Sequence, residues 1–278
     1  MLTRRQFLGR IAKTAAGVAI AGVAGGSVLS AYRFQIDHIQ AELEGLRSPL
    51  RVAWLCDLHY GPFIRAGSVA AWVDATLALD PDLILLGGDM VDHLAGADFG
   101  PLTEQLGRLV APLGVWGIWG NHDLSRLSDG LDEFEARLAA VGTTILVNRG
   151  RLVREDLYLA GIDDLQQGRP DLTAALAGRP PGVPVLLLSH NPDILPQVPP
   201  SVGLTLCGHT HGGQIRLPLV GPVITSSRYG RRFVSGWVEG PARGYVSRGL
   251  GVTQLPLRLA CPPELTALTL SPKPAAPS

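Results

Sequence analysis

Residues 51–59 read RVAWLCDLH, a run dominated by apolar side chains that ends at Asp57 and, two positions on, His59. The same grammar recurs along the chain: DLILLGG (82–88) stops at Asp89, GVWGIWG (114–120) at Asn121, VPVLLLS (183–189) at His190 and VGLTLCG (202–208) at His209. Short apolar runs closed by polar clusters read as buried strands, and the intervening stretches carry helical spacing over Gly67–Leu79, Leu102–Val110 and Leu131–Val141. Asp80-Pro81 and Gly142 are the expected stops. Strand–helix alternation of this kind predicts a layered α/β fold. Downstream, GRLVRED, LYLAGI, GQIRLP, GYVSRG and TQLPLRL are shorter, richer in β-formers and separated by turn residues, which predicts further strands in a second sheet. Pro256 places TQLPLRL at an edge or a bulge.

Polar residues just past the C-terminal ends of strands in an open α/β sheet sit where ligands bind, because the loops there converge on one crevice. Here those places hold Asp57-Leu58-His59, Gly87-Gly88-Asp89, Gly120-Asn121-His122-Asp123, Ser189-His190-Asn191 and Gly208-His209-Thr210-His211, and five of the seven histidines of the chain fall among them. Carboxylates with neutral imidazoles suit borderline or hard divalent ions such as Mn, Zn or Fe. The glycines before Asp89, Asn121 and His209 let the backbone turn tightly. Hydrolysis of a phosphate ester needs a nucleophile brought to an already anionic phosphorus, and two cations about 3.5–4 Å apart serve that need.

The order DxH, GD, GNHD, SHNP and GHTHGGQ resembles the calcineurin-like metallophosphoesterase superfamily over residues 50 to 270. GHTHGGQ, YVSRGLG, PLRL and PPEL resemble its exported bacterial branch, often called YkuE-like or YaeI-like. That resemblance implies an α/β/β/α sandwich with two mixed sheets flanked by helices, occupying residues 49–271. It further implies that Asp57, His59, Asp89 and His211 hold one metal ion and that Asp89, Asn121, His190 and His209 hold the other, with Asp89 bridging. His122 resembles the family's non-ligand histidine, expected to steady phosphoryl charge and pass a proton to the departing oxygen. Asp123 either orients His122 or caps the helix start, and the sequence favours neither. The implied activity is phosphoester hydrolysis by water activated at two metal ions, on a diester or pyrophosphate of the cell envelope or a lipid-linked phosphoester. A phosphomonoesterase and a catalytically silent metal-binding protein are the alternatives. Where purple acid phosphatases carry a ferric-binding Tyr this chain has Asp92, so a ferric-tyrosinate centre is not expected. Asp92 reads as a solvated loop residue more simply than as a group behind the ligands.

The N-terminus differs in kind. Arg4 and Arg5 in TRRQFLGR, then Lys13, precede an uncharged stretch from Thr14 to Tyr32. The order reads as a twin-arginine leader that hands the chain to the export machinery, spanning residues 1–32, clipped or kept as an anchor; Ala19 and Ala21 offer a small-x-small pattern for clipping. Gly and Ala dilute the stretch below the roughly 20 strongly apolar residues of a transmembrane helix. Residues 33–48 read as a linker and residues 272–278 as a disordered tail. Lys plus Arg and Asp plus Glu both total 24, which gives no global field for nucleic acid. SSRYGRRF (226–233) is a local basic loop, too sparse for nucleic-acid binding and compatible with a membrane-surface contact. Cys56, Cys207 and Cys261 are an odd, scattered set that reads as buried small hydrophobes rather than a disulfide framework. His38 and His93 lie outside the motifs and read as surface histidines.

Overall fold

A computed structural model describes residues 25–92, 98–127 and 130–273. Two six-stranded sheets face one another. The first runs in the order β1 (Gln35–Leu43), β14 (Glu264–Pro272), β2 (Leu50–Leu55), β3 (Leu83–Leu86), β4 (Val115–Gly117) and β5 (Thr143–Ile145). From β2 to β5 the strands are parallel, whereas β14 runs antiparallel to β2. The second runs β12 (Gly236–Val238), β13 (Gly244–Val246), β9 (Leu204–Cys207), β8 (Val185–Leu188), β7 (Leu157–Gly161) and β6 (Arg149–Arg154), parallel across β13, β9, β8 and β7 with an antiparallel strand at each edge.

The period-two alternation of side chains assigns each layer. Val52, Trp54, Leu83 and Leu85 face inward to Leu157, Leu159, Leu186, Leu188, Leu204 and Leu206 of the opposite sheet. Their neighbours Ala53, Leu55, Ile84 and Leu86 face outward onto helices α1 (Ala66–Ala78), α2 (Gly100–Leu106) and α4 (Leu131–Ala140) through Trp72, Val73, Leu102, Leu106, Phe134 and Leu138. α3 (Asn121–Arg126) opens at the end of β4, and α5 (Leu172–Leu176) helps cover Tyr158, Ala160, Val185 and Leu187 on the far side of the second sheet. Strands such as LILL are apolar at every position because both faces are covered. The expected α/β/β/α layering is therefore the fold, and Gly142 at φ 88° closes α4 as expected.

Three boundaries differ from the sequence reading. The stretch 33–48, read as linker, contains β1, which pairs in parallel with β14 from Gln35↔Glu264 to Leu43↔Pro272. The same pairing carries β14 into the expected tail as far as Pro272; residues 274–278 lie outside the described residues. TQLPLRL is irregular rather than a strand, with Gln254 at φ 60° and only a bridge from Leu259 to Ile215. Arg258 is its buried residue, donating to the carbonyls of Gly249 and Gly251, whereas Leu255 is exposed. Of the expected leader, residues 1–32, residues 1–24 lie outside the described residues, as does His93, and His38 is exposed on β1.

Candidate metal and phosphate site

Every cluster picked out in the sequence lies at the C-terminal end of a parallel strand, and the two sheets bring those ends together. Asp57 and His59 follow β2, Asp89 follows β3, and Asn121, His122 and Asp123 form the first turn of α3 after β4. His190 follows β8, and His209 and His211 follow β9. Asp57, His59, Asp89, His209 and His211 all adopt positive φ, between 49° and 70°. A non-glycine residue pays for that left-handed backbone, so five of them in one crevice mark a place where surrounding contacts over-determine the chain. The glycines are equally constrained: a Cβ on Gly120 would overlap Asp89, and one on Gly208 would lie 2.5 Å from Asp57 Oδ2.

Asp89 stands between two groups of side chains. Its Oδ2 is 3.5 Å from His59 Nε2 and 3.2 Å from His190 Nε2. On one side Asp57, His59 and His211 offer ligand atoms within 4.8 Å of one another; on the other, Asp89, His190 and His209 do the same. His211 Nε2 lies 3.7 Å from Asp57 Oδ1 and 2.9 Å from His59 Nε2. Two ring nitrogens facing each other at that distance need a shared proton or a cation. His190 Nδ1 donates to Gly87 O at 2.8 Å, which leaves its Nε2 as the nitrogen turned to Asp89. Asn121 Oδ1 is buried without a hydrogen-bond partner among the described residues, and His190 Nε2 has Asp89 Oδ2 beside it at 3.2 Å. Orphaned buried acceptors are rare and costly, and together with the mixed carboxylate–imidazole donor set they fit divalent metal ions.

Burial pushes Asp57 up to about 6 and His59 and His209 down to about 4. Burial works against the charged forms of Asp89 and His190 as well, yet their mutual attraction wins: the Asp89 carboxyl is held far below its usual range and His190 well above its own. His211 is depressed well below its usual range, first by burial and then by the neighbouring His59 ring and the Arg258 cation.

His122 is the imidazole left partly open, with 18% of its side chain exposed. Its backbone N–H donates to Asp89 Oδ1 at 2.7 Å, and its Nδ1 is 3.0 Å from Asp92 Oδ1. Burial opposes protonation of this ring, but the Asp92 hydrogen bond and the charges of Asp89 and Asp92 together outweigh it and raise the pKa. Asp92 is therefore buried against the site rather than solvated in a loop. Asp123 takes the capping alternative: its Oδ2 accepts from Gly120 N and its Oδ1 from Val91 N, both at 3.0 Å. That arrangement tethers the start of α3 to the strand-end loop carrying Asp89, and Asp92 is the carboxylate beside His122.

Two further residues had no sequence signal as site groups. Gln166, in the loop after β7, reaches His209 Nε2 at 3.1 Å. Arg258 is fully buried behind His211, donating to the carbonyls of Gly251, Gly249 and Arg248 with its Nη2 3.4 Å from His211 Nδ1. Burial lowers it to about 10, still cationic. Its place in PLRL, a motif of the resemblance, was the one sequence cue to Arg258. The three cysteines are free and buried; Cys56 lies within ligand distance of Asp57 and His190. Burial drives its thiol up and it donates to Gly87 O at 3.4 Å, so it stays a protonated core side chain.

Strand-end carboxylates and imidazoles gathered between two mixed sheets define a metal-dependent phosphoesterase, and the calcineurin-like phosphoesterase family matches residues 50–213. The chain belongs to that family of phosphoric ester hydrolases. It is 32% identical to the uncharacterized metallophosphoesterase YkuE of Bacillus subtilis over 97% of this chain and 98% of that protein. It is also 32% identical to the phosphodiesterase YaeI of Escherichia coli, over 84% of this chain and 87% of that one. A transmembrane protein with a metallophosphoesterase domain from Bos taurus is 29% identical over 81% of this chain and 54% of its own length.

Proposed function

We propose that the protein is a phosphodiesterase or pyrophosphatase acting on cell-envelope or lipid-linked phosphoesters. Asp57, His59, Asp89 and His211 would hold one divalent ion, and Asp89, Asn121, His190 and His209 the other. Two such ions supply charge neutralisation at the phosphate and activation of water. The observation that carries the reading is Asp89 Oδ2, within 3.5 Å of an imidazole from each sheet. The chain's own groups do the rest. Asp57 accepts from His209 N at 2.9 Å, so the loop from one sheet fixes a carboxylate from the other. Asp92 holds His122 by Nδ1 and favours its protonated form, which suits Nε2 to donate a proton to the leaving oxygen. The name of YaeI supports a diester over a monoester.

Metal-stripped protein should regain bis-p-nitrophenyl phosphate hydrolysis on addition of Mn, and p-nitrophenyl phosphate run beside it separates monoester from diester preference. Undiminished turnover in Asp89→Ala would overturn the assignment. The basic pair Arg4-Arg5 followed by the uncharged stretch supports export by the twin-arginine route to an extracytoplasmic place, with or without retention of the leader. Among the described residues no helix is long and apolar enough to cross a membrane. Retention of Arg4→Lys/Arg5→Lys protein in the cytoplasm is the expected result; unimpaired export would remove this part.

A further inference from the structure

Between residues 194 and 263 the chain has seven arginines, no lysine and one carboxylate, Glu239, although its charges balance overall. Most of these cations are engaged. Arg248 pairs with Asp37 and Glu264, Arg243 with Glu239 and Arg228 with Asp193, while Arg216 donates to Gly212 O and Ser235. Arg231 and Arg232 are exposed and pair with no carboxylate among the described residues. Arg231 lies beside a short hairpin, for a Cβ on Gly221 would meet its guanidinium carbon at 3.7 Å.

That hairpin, β10 (Arg216–Leu217) and β11 (Gly221–Pro222), has an apolar surface turned to solvent. Leu219 at its tip is fully exposed with φ 63°, and Leu217, Val220, Val223 and Ile224 are exposed around it. Single exposed apolar residues are ordinary, but a contiguous cluster rimmed by charge marks an interaction surface. It adjoins the catalytic crevice: Val223 N donates to Ile215 O at 3.1 Å, and a cavity of about 180 Å³ lies between His211 and the hairpin, with Ile224 and Leu255 in its wall. The N-terminal segment arrives at the same place. Residues 25–31 are helical, Ser27 O accepts from Arg258 N at 3.0 Å, and Leu29 is exposed there, as is Leu255 three residues before Arg258.

We propose that the 215–224 hairpin, with Arg231 and Arg232 behind it, docks the enzyme on an anionic lipid bilayer and brings the crevice to head-group level. The apolar tip and the unpaired guanidiniums match acyl chains and anionic head groups respectively. A second copy of this face would bring arginines against arginines. The leader is an equally poor occupant, since it carries Arg4, Arg5, Arg10 and Lys13 and no carboxylate precedes Asp37. The described end of its uncharged stretch, residues 25–31, instead lies beside Arg258, in the segment that bridges to Ile215, so this end of the leader and the hairpin adjoin one another. The proposal deepens the lipid-linked reading of the site and rests on it for the substrate, whereas docking is measured without turnover.

The test places an environment-sensitive fluorophore on Leu219→Cys in the full chain, the native cysteines being buried, and on Val110→Cys, exposed near the start of β4, as reference. With phosphatidylglycerol vesicles the label at position 219 should shift to the blue and be quenched by brominated lipid, while the one at 110 stays unchanged. Adding Arg231→Glu and Arg232→Glu should weaken that response by about tenfold or more in lipid concentration, with hydrolysis of soluble bis-p-nitrophenyl phosphate preserved. A silent label at 219 on vesicle-bound protein would overturn the proposal, because the leader alone would then be holding the chain. So would a shift that appears without lipid as protein concentration rises, or one equally strong on phosphatidylcholine. Loss of all phosphoesterase activity with an intact lipid response would instead count against the proposed function and leave the docking standing.

Discussion

The loops carrying the candidate metal ligands and the 215–224 hairpin both hold non-glycine residues in the left-handed region, and they do so under opposite conditions. Around Asp57, His59, Asp89, His209 and His211 the backbone is buried and cross-bonded: His59 N donates to Asp89 O at 2.9 Å, Asp57 N to Gly88 O at 3.1 Å and His209 N to Asp57 Oδ1 at 2.9 Å. Leu219 has a fully exposed side chain at a hairpin tip, where the adjacent Val220 N–H reaches Pro218 O. The first arrangement spends packing energy to fix atoms in space; the second leaves apolar surface for something outside the chain. Substitutions in the two regions should therefore differ in kind as well as in size.

The sharpest contrast comes from Asp89→Ala, which removes the carboxylate common to both groups of imidazoles. Diester turnover should fall by about 10³-fold or more and bound metal per chain should drop, read by elemental analysis. His122→Ala should lower kcat by about 10²–10⁴-fold while leaving metal content intact, since that ring contacts Asp92 rather than the imidazole groups' shared carboxylate oxygen. Smaller again, Asp92→Asn should cost about 10–100-fold, mostly in kcat, and move the alkaline limb of the pH profile, which a protonated His122 creates, to lower pH, because the carboxylate that raises His122 is gone. Its control is Asp123→Asn, which should lower thermal stability by about 1–3 kcal/mol through weakened caps at Gly120 and Val91 and change kcat far less. If Asp123→Asn were the more damaging to kcat at unchanged Tm, the roles given to the two aspartates would be reversed. At the small end, Leu219→Glu should leave both Tm and soluble diester turnover close to wild type, within about 0.5 kcal/mol of stability. A large loss there would mean the hairpin supports the crevice.

What could be read in the sequence follows from how locally each feature is encoded. Strand ends carrying Asp57, Asp89, Asn121, His190 and His209 announce themselves, because an apolar run and its closing polar residue are neighbours in the chain. The partner of His122 is not local. Asp123 adjoins it in sequence, but the first turn of α3 directs that carboxylate back to Gly120 and Val91, and Asp92 arrives from the loop after β3. Gln166 and Arg258 reach the crevice from loops whose composition resembles any other turn. β1 escaped for a related reason: QIDHIQAEL is a half-exposed edge strand rich in polar residues, and its only partner, β14, lies at the other end of the chain. In TQLPLRL the apolar pattern misleads: the residue that segment buries is Arg258, which bonds to the Gly249 and Gly251 carbonyls, and no ladder forms.

The pairing of β1 with β14 has a temporal meaning. A ribosome delivers Gln35 long before Glu264, so β1 has no strand to pair with until β14 has emerged. Closure of that edge is therefore among the last steps in assembling the first sheet, and residues 25–31, which run toward β1, stay joined to the strand that waits longest for its neighbour.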